Sequence, residues 1–175
     1  GCLVILSDTA LRMLGADGSE IWSANVQMTA PALVQGGGKI AAYDVGGTAV
    51  YVLDENGEQM ELTAEGPIVS ASLNSSGMLA VTSQVSGTKG RVDVYTADGS
   101  TLAEVNAHRR FVADACVTED GKSLSVVLMG QEDGTFVSDV SFYDLTRPGE
   151  AEVTADYEVQ DGLVTAMGCH GSSIL

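Results

Sequence analysis

The residues best equipped for chemistry are few and scattered. His108-Arg109-Arg110 is the densest basic spot, holding two of the 8 Lys and Arg residues and one of the 2 histidines. Paired guanidinium groups there could grip an anion bidentately, such as a phosphate of an acidic wall polymer. The competing reading has these arginines neutralising nearby carboxylates, with Glu104 and Asp114 among the candidates. Cys169 and His170 are adjacent, but neighbours on an extended chain point to opposite faces, so they make a poor nucleophile–base dyad. The acidic turns Asp54-Glu55-Asn56, Glu119-Asp120 and Glu132-Asp133 offer oxygens to a hard cation such as calcium. None has the alternating ligand spacing of a calcium loop, and Asp or Asn before Gly is what a tight turn needs anyway. No catalytic residue, metal ligand or cofactor is expected.

Trp22 is the chain's only tryptophan. It follows the turn "ADGSEI" (16–21), and a packing role is expected for it, because nothing else in the chain supplies a ligand set for a quinone. The 3 cysteines, Cys2, Cys116 and Cys169, lack CxxC spacing and paired histidines. Their odd number argues against a disulfide framework. Cys116 lies in an alternating strand pattern, where a buried free thiol is the default.

The charge balance excludes several partners. There are 24 acidic and 8 basic residues, a formal net charge of −16. Such a field repels nucleic-acid phosphates and anionic lipid headgroups, and it keeps a strand-rich protein from sticking edge to edge. No apolar run approaches the ~20 residues of a membrane span. "CLVIL" (2–6) is too short for a span or a complete signal peptide. Hydrophobic content of 45% and a mean hydropathy of +0.15 describe a chain that folds, and 175 residues is one domain's worth.

The elements that must position these residues are read from a repeat. One turn series places Gly18, Gly57, Gly99 and Gly149 at separations of 39, 42 and 50. A second places Gly38, Gly77, Gly121 and Gly171 at 39, 44 and 50. Asp-Gly and Asn-Gly in these turns tolerate the positive φ of a hairpin. Between turns the chain alternates with period two, as in "RVDVYTA" (91–97), and no segment sustains a 3.6-residue period. Four strands per ~40–45 residues is the signature of a β-propeller blade. The expected fold is all-β. It has a partial blade at 1–26, four-stranded antiparallel blades at about 31–65, 67–107 and 110–159, and a partial blade at 163–175. "LVTAMG" (163–168) is read as a first strand. Either it closes a four-bladed ring against "CLVIL", or the chain is part of a larger propeller. The second is the expectation, with both ends as open edges able to pair with another molecule. Gly18, Gly57, Gly99, Gly77, Gly121 and Trp22 are the predicted structural positions.

"AHRRFVADACVTEDGKSLSVV" (107–127) resembles the opening of a WD40-type blade. "RVDVYTADG" (91–99) is similar to that family's third strand, although Tyr95 stands where Trp is usual and no Asp follows it. "ADGSEIWSANV" (16–26) resembles quinoprotein-like propeller repeats. Residues 43–81 together with 90–145 resemble an uncharacterised propeller family of Firmicutes, a domain of unknown function carried outside the cell behind an N-terminal anchor. That resemblance implies a fold and an extracellular or cell-surface setting, and transfers no catalytic residues. The expected function is a non-catalytic binding, sensor or scaffold module for a protein or cell-wall partner. The alternative is an enzyme whose axial active site is completed by blades outside this chain.

Overall fold

Valine and alanine alternating with polar residues make strands that bury one or both faces, and glycine turns fold them into hairpins. The computed structural model describes residues 1–57, 59–159, 162–164, 167–170 and 173–174, and among them every regular element is a strand. The first sheet has three strands, β1 (Cys2–Leu6), β2 (Ala10–Gly15) and β3 (Glu20–Asn25). The second is a four-stranded meander of β4 (Pro31–Gly36), β5 (Lys39–Asp44), β6 (Ala49–Leu53) and β7 (Gln59–Thr63). The third contains β8 (Ile68–Leu73), β9 (Leu79–Ser83), β10 (Gly90–Tyr95) and β11 (Thr101–Ala107). The fourth contains β12 (Phe111–Val117), β13 (Ser123–Glu132), β14 (Thr135–Asp144) and β16 (Glu152–Val159). These are propeller blades, antiparallel and in chain order, and they fall where the two glycine series place them.

Three apolar clusters lie between successive blades. Leu11, Met13, Val26 and Met28 pack on Ala42 and Leu53, joining the first sheet to the second. Tyr43, Val50 and Val52 meet Ile68, Leu79 and Val81, joining the second to the third. Val92, Val94, Ala103 and Val105 meet Val112, Leu124 and Val126, joining the third to the fourth. The core is therefore divided into interfaces between blades.

Both glycine series serve these interfaces. At Gly57 and Gly99 the outer turns take φ of 82° and 87°. A Cβ on Gly57 would come within 3.1 Å of Trp22 Cβ, and one on Gly99 would overlap the Met60 sulfur. Each outer turn thus leans on the last strand of the preceding blade. The inner turns lean on the inner hairpin of the preceding blade: Gly77 lies over the Lys39 side chain, and a Cβ on Gly121 would stand 2.6 Å from Met78 Sδ. Gly18, with φ of 80°, opens the series in the first sheet, and a Cβ there would meet no atom within 4 Å among the described residues. Gly171 lies outside the described residues.

Three expectations are corrected. Residues 145–153 are not a simple hairpin turn: within them β15 (Gly149–Glu150) pairs in parallel with β11, making the third sheet five-stranded. This is the same backward lean of an outer turn, lengthened until it forms ladder bonds. Residues 163, 164, 167 and 168 are not strand, and Thr165 and Ala166 lie outside the described residues. The last pair is β17 (Cys169–His170) with β18 (Ser173–Ile174). The Val164 amide instead donates to Ser138 Oγ, which diverts this segment from a ladder. Finally, Cys116 is not a free thiol. It is disulfide-bonded to Cys169 with a Cα–Cα distance of 6.3 Å, because the terminal segment returns alongside β12. The odd cysteine is Cys2, which is exposed.

Among the described residues β1 pairs with β2 alone, and no ladder joins 163–168 to Cys2–Leu6. Among the described residues the sheets do not close a ring. Leu3 and Ile5 of β1 are exposed beside the open edge.

Candidate functional site

The innermost strands β4, β8 and β12 run side by side and border an axial cleft. Small residues permit the approach: a Cβ on Gly36 would overlap the Leu73 carbonyl oxygen. Side chains of β8 and of the residue after it tie this edge to β12 and the residue after that. Ser72 Oγ donates to the Ala115 carbonyl at 2.7 Å, and Asn74 Nδ2 donates to the Thr118 carbonyl at 2.9 Å. Gly36, Ser72, Asn74, Asp114 and Cys116 line a cleft of about 510 Å³, and Met167 and Cys169 complete its lining. A second hollow of about 520 Å³ adjoins it, lined by Tyr43, Ser70, Asp114, Val127, Met129 and Leu163. Asp114 borders both.

Ser70 and Asp114 reach the second hollow through matching irregularities. β8 carries a bulge between Ile68 and Ser70, and β12 carries one between Val112 and Asp114. A bulge adds one residue to one strand and re-aims the side chains beyond it. Ser70 and Asp114 therefore occupy equivalent positions in successive blades. Ser70 Oγ is buried and has no hydrogen-bond partner. Asp114 Oδ1 accepts from the Ala115 amide at 2.9 Å, and no Lys or Arg among the described residues pairs with it. Burial pushes the Tyr43 hydroxyl pKa up. The Ala71 backbone pulls it back, and the Asp114 charge adds to the rise.

The basic triplet sits elsewhere. His108-Arg109-Arg110 occupies the connection between β11 and β12, in a groove it shares with Asp139, Asp156 and Glu158. Arg110 is held by Glu132 and Asp139, carboxylates of its own blade, and not by Glu104 or Asp114. Glu104 belongs to another network, in which Arg91 contacts Asp93 at 2.6 Å, Glu104 at 2.7 Å and Glu65 at 3.1 Å. His108 and Arg109 are exposed, and no ion pair engages Arg109 among the described residues. An anion would therefore meet one available guanidinium amid several carboxylates. Trp22 is half-buried against the cluster of Leu11 and Met13, under the Gly57 turn.

The acidic turns use their carboxylates locally. Asp120 Oδ1 accepts from Thr118 Oγ1 at 2.7 Å and from the Lys122 amide at 3.2 Å. Asp54 Oδ1 accepts from the Asn56 amide at 2.8 Å.

A family profile matches residues 1–166 of this sequence and is described as a family of unknown function, DUF5711. The chain belongs to that family. Among curated proteins none matches. Its fold is similar to that of Hsv2 from Kluyvelomyces marxianus, a WD40-like propeller. The TM-score is 0.63 at 14% identity, over 92% of this chain and 55% of that one. It is also similar to a chain of Kuenenia stuttgartiensis hydrazine synthase, with a TM-score of 0.58 at 15% identity, over 82% of this chain and 47% of that one. The chain thus spans about half the length of each solved structure. These likenesses show the propeller fold alone.

The axial residues were not singled out as a site from the sequence. "VADACV" (112–117) does carry the signal, an acidic residue inside an apolar inner strand, but the bulge that aims it has no sequence signature.

Proposed function

We propose that this DUF5711 chain is a non-catalytic binding and scaffold module, part of a larger propeller, that engages a protein or cell-wall polymer through the axial face of its blades. Its setting in this reading is extracellular or at the cell surface of a Firmicutes bacterium, tethered by an anchor outside this chain. The observation carrying the reading is the pair of adjoining axial hollows where the inner strands converge, with Ser70 Oγ buried and unpartnered and Asp114 without a cationic partner among the described residues. Ligand sites favour such concave convergences of polar groups within apolar walls. The net charge of −16 favours cationic or neutral ligands over nucleic acid.

The test is thermal denaturation in the presence of wall-polymer fragments and of secreted-protein peptides, since a ligand of the folded state raises the midpoint by mass action. A ligand that raises it should lose that effect in the double variant Gln35→Arg/Ser75→Arg, which crowds the cleft mouth. It should keep the effect in His108→Ala/Arg109→Ala. The reverse pattern would move the site to the basic groove.

A further inference from the structure

We propose that the axial hollow around Asp114 is a receptor for an alkylammonium group, the charged nitrogen seated on Asp114 and Ser70 and the alkyl stem lying on Val127 and Met129. This rests on the reading of the axis as the binding face, and it names the chemistry that face accepts.

The hollow contains one carboxylate and two hydroxyl-bearing side chains, Asp114, Ser70 and Tyr43, and its remaining lining is largely apolar. The only cations drawn into ion pairs among the described residues are Arg12, Arg91 and Arg110, and none of them reaches Asp114. A half-buried carboxylate without a counter-ion leaves its charge poorly compensated, and a buried hydroxyl without a partner carries a similar deficit. One incoming group can remedy both. It must bring positive charge for Asp114 and hydrogen-bond donors for the oxygens, and its uncharged part must suit Ala71, Val127, Met129 and Leu163. An ammonium on an alkyl chain meets all three conditions, with three donors on a compact charge and an apolar stem. An anion fails at Asp114, and a neutral alcohol leaves the carboxylate uncompensated.

The bulges set this hollow apart from an accidental gap between strands. Equivalent residues of two successive blades, Ser70 and Asp114, are re-aimed by the same device, whereas β4 pairs with β5 without one. The chain's net charge of −16 adds a long-range attraction for cations.

The experiment is an NMR titration of the intact chain with n-butylammonium, n-butanol and butyrate, following the methyl resonances of Met129, Val127 and Ala71. Butylammonium should give saturable shifts at these methyls that weaken with added salt, while butanol and butyrate give none. Asp114→Asn should weaken binding by about tenfold or more, the scale of a charge-assisted hydrogen bond. Asp133→Asn, which removes the same charge at a loop tip outside the hollow, should leave it unchanged. Equal shifts with butanol, no shifts with butylammonium, or equal affinity in Asp114→Asn would overturn the proposal. If butylammonium fails while wall fragments or peptides still raise the midpoint through the axial face, the ammonium assignment alone falls. If neither binds, the axial reading falls with it.

Discussion

β11 and β16 hold the same place in successive blades, and both alternate apolar and polar residues, yet they meet opposite fates. In β11, Ala103, Val105 and Ala107 are buried against β12 and β13 of the next blade. In β16, Val153 and Tyr157 are exposed, at 52% and 64%, and no other residue of the strand is buried. The difference is not in the strands. Among the described residues β11 has a blade in front of it and β16 does not. Burial in this fold is therefore a property of stacking, and a strand's sequence only makes it ready to be covered.

The largest test of that contrast is the disulfide, which fastens the terminal segment to the fourth blade. It closes a loop with a sequence separation of 53, for which the chain-entropy picture gives about 4 kcal/mol. Thermal or urea unfolding with and without reductant should show a loss of that order, and Cys116→Ser/Cys169→Ser should match the reduced protein. Next comes the interface itself. Leu124 is fully buried between the third and fourth blades, so Leu124→Ala should cost about 2–5 kcal/mol in urea unfolding. Trp22→Ala should cost about 2 kcal/mol, below the ~3–5 of a fully buried aromatic, because the indole is only half-covered.

Acid should act on the turns rather than the interfaces. Hydrogen bonds hold four turn carboxyls below the usual range. Thr96 and Ser100 act on Asp98, Thr118 and Lys122 on Asp120, Ser19 on Asp17, and Thr146 on Asp144. A carboxylate whose pKa is depressed by folding stabilises the folded state above its unfolded pKa of ~3.9, and that contribution fades as pH falls through the lower folded value. Asp93 works the other way. Burial raises its pKa, so its ionisation opposes folding and acid relieves it. The melting temperature should thus fall below about pH 4, and Asp98→Asn should make that fall shallower. A flat profile would contradict the turn assignments. The smallest effect belongs to the open face: Tyr157→Ala should change stability by no more than about 0.5 kcal/mol.

Much of this fold was legible, because hairpin turns need particular residues. Asp-Gly and Asn-Gly at Gly18, Gly57, Gly99 and Gly121, with Ser-Gly at Gly77, marked the blades to within a few residues. What the sequence hid depends on packing across blades. Gly149 looked like one more outer turn, and only the proximity of β11 makes it a ladder. Cys116 read as a buried thiol because nothing local announces that residue 169 returns beside it. Asp114 read as a partner for arginine, whereas a bulge turns it toward the axis and Arg110 takes Glu132 and Asp139.

The most direct test of stacking as the source of order is residue-resolved amide hydrogen exchange on the oxidised chain. The amides of β11 that bond to β10 should exchange as slowly as the whole domain unfolds. Those of β16 that bond to β14 should exchange far faster, through local opening of an uncovered strand. Equal protection in β11 and β16 would contradict the account, since it would show that a strand here needs no neighbouring blade to be held.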